Sequence, residues 1–347
     1  MGTSRVTLAT IAKQLGVSRS TVSNAYNRPD QLSDELRQRI LAAATELGYA
    51  GPDPAGRSLR RGRAGAVGIV QLTLHYAITD AANQLLLDGI AEVCEENGLA
   101  LVLIPERRPD HSRVDVLASA LIDGVIVHCD ALDDDRRAIV MARQLPYVVL
   151  DGAFDADESS VGIDDAGGAA SAARHVLGLG HRDIAAITFG RRPGVKDYIL
   201  LARLDGYRRT VEAVDGAALT VVDAASYERV DGRAAAVELF SSGARPTAIL
   251  AMSDELAAGV LDAAAALGIA VPDDVSVVGF DDAATATTVA PALTTVRQDH
   301  REKGRVAAQL LVDGPRSARR VELPVELVVR SSTAPAPADR RIAPTAR

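Results

Sequence analysis

The stretch "TLATIAKQLGVSRSTVSNAYN" (7–27) carries Arg19, Ser20 and Asn24 off an apolar stripe made by Val17, Val22 and the alanines. An arginine fork fits guanine O6 and N7 together, and an asparagine amide fits adenine N6 and N7, each worth about 1–3 kcal/mol of discrimination. Thr21 and Ser23 suit phosphate contacts or caps. A second group sits where apolar runs end. "AMSDELAAG" (251–259) brings Ser253 and Asp254 to the end of one run, "VVGFDD" (277–282) brings Asp281 and Asp282, and "PYVVLD" (146–151) brings Asp151. Carboxylates accept hydrogen bonds from hydroxyl groups. Tyr76, Phe154, Phe189, Tyr198 and Phe280 are stacking platforms or core residues, and Asp254 either binds or caps the next helix. Asp164 and Asp165 read as caps of the helix running towards Leu179.

The elements that must position these residues fall into two textures. Thr7 caps a helix with Leu8, Ile11, Ala12 and Leu15 at helical spacing, and Gly16 closes it. Ser18 caps a second helix over Arg19–Tyr26, and Ser33 opens a third with Leu36, Ile40, Ala43 and Leu47 on one face. After Gly65, apolar runs alternate with helix-length segments. The runs at 66–71, 99–104, 124–129 and 146–151, then 183–189, 219–224, 247–252 and 275–280, predict parallel strands covered on both faces. Two successive doubly wound units predict two lobes with a cleft at the carboxyl ends of their strands.

The charge divides at the same place. Residues 1–63 hold ten Arg or Lys against five Asp or Glu, a net +5, which leaves 28 basic and 41 acidic residues and a net −13 for 64–347. A basic head on an acidic body is what a chain needs if only the head meets a polyanion. No apolar run reaches the roughly 18–20 residues that cross a bilayer, and Met1–Arg5 is not followed by the apolar core of a secretory signal, so a cytoplasmic location and no membrane partner are expected. The two cysteines, Cys94 and Cys129, exclude a four-cysteine metal site and read as packed apolar groups. The six histidines have no metal-ligand spacing, and His181 after a helix-ending glycine reads as a turn residue. Neither a P-loop, a G-x-S-x-G elbow, an H-E-x-x-H pair nor a G-x-G-x-x-G turn is present, so no enzyme activity, cofactor or metal is expected.

The stretch 7–27 reads as a helix-turn-helix. Its pattern, "T-L-x-x-[IV]-A…G-V-S-x-x-T-V-S-x-x-x-N", resembles the DNA-binding head of the LacI (lactose-repressor) family of bacterial regulators, and the resemblance continues to about residue 330. It implies an N-terminal all-α helix-turn-helix head plus an α/β two-lobed periplasmic-binding-protein-like effector domain. It also implies DNA contacts from Thr7, Ser18, Arg19, Ser20, Thr21, Ser23, Asn24 and Asn27. The segment "AGPDPAGRSLRRGRAG" (50–65) matches the family's hinge helix, which forms on DNA. Leu59 matches the leucine that enters the minor groove, while Arg57 would meet phosphate. By itself this helix spans about two turns and is marginal in water. In the body, the resemblance places Arg203 of "ARLDGY" (202–207) at the ligand, with Ser253 and Asp281; Tyr76 and Asp151 complete the expected effector site.

The expected organisation is a helix-turn-helix domain at 1–51, a hinge at 52–64, a two-lobed effector-binding and dimerisation domain at 65–330, and a disordered tail at 331–347. The expected function is a transcriptional regulator, a repressor acting as a homodimer on palindromic double-stranded operator DNA. A sugar-like small molecule in the interlobe cleft would control it. A regulator controlled by a protein partner, and an α/β enzyme with an accessory DNA-binding head, are the competing readings.

Overall fold

A computed structural model describes residues 6–49, 51, 62–71, 74–105, 115–129, 134–152, 158–189, 197–243, 245–314 and 318–337, with the side chains of Tyr76 and Asp134 excepted. The chain divides into two compact units, 1–65 and 66–347.

The first unit is a bundle of α1 (Leu8–Leu15), α2 (Arg19–Asn27) and α3 (Asp34–Glu46). Gly16 ends α1 at φ 67°, a left-handed conformation that lets the chain turn within a few residues into α2. Ser18 opens α2, its hydroxyl accepting the Thr21 amide at 3.0 Å, and Ser33 opens α3 in the same way with the Leu36 amide at 3.4 Å. The periodic apolar positions converge as the spacing predicts: Ile11, Ala12, Val22, Ala25, Ile40 and Ala44 form one buried cluster. Full burial of each isoleucine or valine side chain contributes about 1.5–3 kcal/mol, and that burial holds together helices too short to persist alone. Tyr26 and Tyr49 close the bundle edge to face, with ring centroids 6.0 Å apart.

The second unit runs β1 (Ala66–Gln71), α4 (Leu74–Thr79), α5 (Ala81–Glu96), β2 (Ala100–Pro105), α6 (Val116–Ser119), β3 (Gly124–His128), α7 (Asp134–Ala142), β4 (Tyr147–Leu150) and β5 (Ser160–Ile163). It continues with α8 (Asp165–Gly178), β6 (Asp183–Thr188), α9 (Tyr198–Glu212), β7 (Ala218–Asp223), α10 (Arg229–Ser241), β8 (Ala248–Ala251), α11 (Asp254–Leu267), β9 (Ser276–Asp281) and α12 (Ala284–Thr288). It ends with β10 (Thr294–Gln298), α13 (His300–Asp313), β11 (Arg320–Leu323) and β12 (Val325–Val328). Two six-stranded sheets result, in the orders β11-β5-β4-β3-β1-β2 and β12-β10-β9-β8-β6-β7. Among the described residues, all pairings are parallel except that of β12 with β10. Strands such as β1, β3 and β8 are buried along their whole length, the condition that produces continuous apolar runs.

Helix pairs clamp the sheets through glycines. A Cβ on Gly89 of α5 would stand 1.9 Å from the Arg301 carbonyl oxygen of α13, and one on Gly304 would stand 2.1 Å from that of Leu86. Only bare Cα positions allow these two backbones to approach so closely.

Three features differ from the sequence expectation. The lobes are not successive units. The chain leaves the first sheet after β5, returns after β10 to lay α13 on the first lobe, and crosses a third time between β11 and β12. The strands that make these crossovers were invisible as apolar runs: β5 is "SVGI" and β10 is "TTVRQ". Pairing to neighbours that are already aligned, not their own pattern, makes them strands. The tail expected from 331 is also corrected. Ser332 is fully buried, its carbonyl accepting the Val277 amide at 2.8 Å and its hydroxyl the Thr294 amide at 2.8 Å, and the Ala336 amide reaches the Leu179 carbonyl at 2.8 Å. Ordered chain therefore extends at least to 337, and 338–347 lie outside the described residues. His181 is more than a turn residue: it is buried, with Nδ1 2.9 Å from Thr247 Oγ1 and Nε2 3.0 Å from the Ala334 carbonyl, which fastens this C-terminal segment to the second lobe.

Candidate functional site

In the head, the apolar face of α2 buries Val22 and Ala25 and leaves Arg19 and Ser20 exposed at its beginning. Ser18 is exposed and occupied as the cap, lying 2.6 Å from Ser20 Oγ and 2.8 Å from Thr21 Oγ1. Thr7 is likewise exposed, its amide donating to the Thr10 hydroxyl at 3.4 Å. Asn24 is half-buried and its amide nitrogen donates to Gln31 Oε1 at 3.2 Å; to read a base it must exchange that partner. Asn27 turns back on its own helix and donates to the Ser23 carbonyl at 3.0 Å and hydroxyl at 3.2 Å. Arg57 and Leu59 lie outside the described residues.

In the body, Asp151, Arg203, Ser253 and Asp281 line one cavity between the lobes. Asp151 follows β4, Asp281 ends β9, Ser253 follows β8, and Arg203 reaches in from the first half of α9. The parallel strands of both sheets thus deliver their carboxyl ends to a common space. Backbone conformation marks the same place. Cys129, Asp151 and Asp281, all on the cavity, have φ of 52°, 54° and 111°, a region that non-glycine residues enter rarely and that clusters at functional sites.

Arg203 is held from three directions. Its Nε donates to Asp165 Oδ1 at 2.8 Å, its Nη1 to the Met252 carbonyl, and its Cζ stacks 3.5 Å from the centre of the Phe280 ring. Burial opposes its charge, but the Asp165 and Asp281 carboxylates more than compensate and hold the guanidinium ionised. Asp281 lies 3.6 Å from both Arg203 Nη1 and His300 Nε2 and accepts from Gln298 Nε2 at 2.6 Å. Burial alone would raise its pKa; His300 and Arg203 reverse that and hold the carboxyl below the usual range. Asp151 is buried yet ionised for a parallel reason, with Lys303 Nζ 2.8 Å from Oδ1 and His128 Nε2 3.5 Å from Oδ2.

Two expected roles change. Asp164 caps α8, accepting the Gly167 amide at 2.8 Å, but Asp165 is the carboxylate that pairs with Arg203. Ser253, expected to bind ligand, is also the cap of α11, accepting the Leu256 amide at 3.2 Å. Asp254 turns inward and accepts from the Ala283 amide at 2.8 Å and Thr295 Oγ1 at 2.6 Å; burial raises its pKa and Asp281 raises it further. Of the aromatic residues, Phe189 lines the cavity and Phe280 lies beneath Arg203, whereas Tyr198 belongs to a neighbouring space; Phe154 and the Tyr76 side chain are outside the described residues. Sequence reasoning missed Asp80, His128, Gln298 and His300 on the cavity wall, and Lys303 behind it. Gln298 ends β10 and His300 follows it, so recognising that strand would have exposed them by the same strand-end rule.

A helix-turn-helix bundle preceding a body with two doubly wound lobes around a polar cleft defines a DNA-binding regulator with a periplasmic-binding-protein-like domain. The comparisons agree. Residues 7–51 match the family described as bacterial regulatory proteins of the lacI family, and residues 173–333 match the periplasmic binding protein-like domain. An HTH-type transcriptional regulator of Mycobacterium tuberculosis is 41% identical over 355 residues, covering 96% of this chain and 98% of that protein. The lac repressor dimer, solved bound to operator and an anti-inducer, superimposes with a TM-score of 0.78 at 25% identity, covering 95% of this chain and all of that one. The complex of the transcriptional regulator CelR with cellobiose does so with a TM-score of 0.67 at 30% identity, over 94% of this chain and all of that one. The chain belongs to the LacI family of bacterial transcriptional regulators.

Proposed function

We propose that the protein is a repressor that binds a two-fold symmetric operator as a homodimer and releases or grips it when a neutral, polyhydroxylated small molecule occupies the interlobe cleft. The observation that carries the effector assignment is the placement of Arg203 and Asp281 together at the strand ends, a donor fork beside an acceptor. The two described cations nearest the acceptors are already paired, Arg203 with Asp165 and Lys303 with Asp151. Asp80 and Asp197 add further carboxylates to the wall. An acceptor-rich site with paired cations favours hydroxyl donors over a phosphate or carboxylate. The cellobiose bound by CelR is a ligand of that chemistry.

For the DNA, Arg19, Ser20 and Asn24 read base edges, with Thr7, Ser18, Thr21, Ser23 and Asn27 at phosphates or holding the helix, and Leu59 and Arg57 act from the hinge. Pairing follows from half-site geometry, since two heads on one operator require two chains. The first experiment is selection from a random DNA pool by the full-length protein at near-physiological salt. Enrichment of a two-fold symmetric site supports the reading and supplies the probe for screening unphosphorylated sugars and cyclic polyols. Weak, sequence-blind binding that disappears with salt would overturn it, because charge alone behaves that way.

A further inference from the structure

Lys303 is a lysine in the first turn and a half of α13, only 1% exposed, whose position a methionine or leucine could fill without any charge to desolvate. Its ammonium has three donors and all three are used: on Asp151 Oδ1 at 2.8 Å, on Asp151 Oδ2 at 2.9 Å, and on Gln298 Oε1. Gln298 in turn donates to Asp281 Oδ1 at 2.6 Å. Asp151 follows a strand of the first lobe and Asp281 ends a strand of the second, so two side chains link the acceptors of both lobes.

The link spans a crossover. Gln298 is the last residue of β10 in the second lobe, and Lys303 sits five residues on, in a helix packed against α5 and the first sheet. Bending at 298–300, the motion that would open the cleft, must break the Lys303–Gln298 bond or carry Gln298 away from Asp281. The same buried chain continues into the first lobe. His128 Nδ1 lies 3.2 Å from Gln71 Oε1 at the end of β1, and Gln71 Nε2 donates to Asn83 Oδ1 at 3.1 Å at the start of α5. Buried ion pairs add little stability over apolar groups of the same volume; their attested use is to specify one arrangement among several.

We propose that Lys303 is a positioning residue for ligand recognition, which ties Asp151 directly and Asp281 through Gln298 and thereby sets the angle between the lobes. This rests on the cleft being the effector site. A ligand meets two acceptors already aligned across the cleft, and its hydroxyls compete with Gln298 for Asp281.

The test reads lobe geometry without a ligand. Full-length protein with Cys94→Ala and Cys129→Ser receives spin labels through Glu96→Cys on the first lobe and Glu238→Cys on the second, both exposed positions, and the interlobe distance distribution is measured by pulsed dipolar spectroscopy. Three variants are compared with this parent. Lys303→Met removes the ammonium, Lys303→Met with Asp151→Asn removes both charges so that no buried carboxylate is stranded, and Gln298→Leu cuts the link while leaving the Lys303–Asp151 pair intact. A longer and broader distribution is expected in the last two variants, with the parent's circular dichroism preserved. A merely structural lysine would lower the unfolding midpoint and leave the distances alone. Distributions that superimpose on the parent's in both the charge-balanced double variant and Gln298→Leu would overturn the proposal. The DNA selection above is read on the unmodified protein and decides the regulator reading separately.

Discussion

The Arg203 guanidinium lies over the Phe280 ring, its carbon 3.5 Å from the ring centre, and the contact helps fix the one buried arginine that faces the interlobe cleft among the described residues. The ring covers one side of the guanidinium, Asp165 and the Met252 carbonyl hold its Nε and Nη1, and Asp281 Oδ1 lies 3.6 Å from that same Nη1. An arginine that lies over a ring and donates from two nitrogens to two different groups is not replaceable by lysine, whose point charge neither stacks nor forks.

Arg203→Met should therefore cost more than binding. It strands the Asp165 carboxylate in the interior, and breaking a buried pair from one side costs about 3–5 kcal/mol. Urea unfolding of the single variant and of Arg203→Met with Asp165→Asn checks this: the double variant should recover part of the loss, and equal midpoints would refute the pairing.

Gly89→Ala places a Cβ 1.9 Å from a backbone oxygen that no side-chain rotation can move. The α5–α13 pair must separate, at about 1–3 kcal/mol for overpacking of this kind. Denaturant titration should show the loss, and an unchanged midpoint would mean the helices have room that the structure does not show.

Asp80 caps α5, accepting the Asn83 amide at 2.8 Å, and lines the cleft. Burial, with the nearby charges of Asp281 and Glu255, pushes its pKa up to about 6 despite that hydrogen bond. A carboxyl raised on folding binds its proton more tightly in the native state, so the native protein loses stability as pH rises from about 4 to about 6 and carries the full penalty above that. Asparagine caps as well as aspartate and has no charge to bury. Asp80→Asn should thus raise stability by about 1–3 kcal/mol at pH 7.5 and leave it nearly unchanged at pH 4. Thermal melts of both proteins across this interval test the sign; a gain at pH 4 as large as that at pH 7.5 would contradict it.

Two DNA variants separate direct reading from bending. Arg19→Ala should relax preference at one base pair in each half-site by about 1–3 kcal/mol. Leu59→Ala should weaken specific binding more than non-specific binding, because an apolar wedge acts only where the duplex is seated and deformable. Competition with random-sequence DNA measures both, and equal losses on specific and non-specific DNA would remove the wedge.

Much of this protein was legible without coordinates because its signals are local. A cap residue and an apolar period, with a closing glycine after α1, specify α1, α2 and α3 within a few residues of chain, and fully buried parallel strands must be continuous apolar runs, so β1 is read to the residue at 66–71. Asp151 and Asp281 were legible for the same reason, as polar residues where such runs stop. Other features depend on chain segments far apart. β5, β10, β11 and β12 carry little pattern of their own and become strands only when a sheet edge accepts them, so the three crossovers, the order of the lobes and the anchoring of 331–337 by His181 and Ser332 could not be read in advance. Asp165 looked like a cap until folding brought α9 beside it, 38 residues on. Lys303, one of three lysines in the chain, has no local pattern that marks it; only tertiary packing brings Asp151 to it across 152 residues, and an ammonium can be buried only where such a carboxylate is waiting.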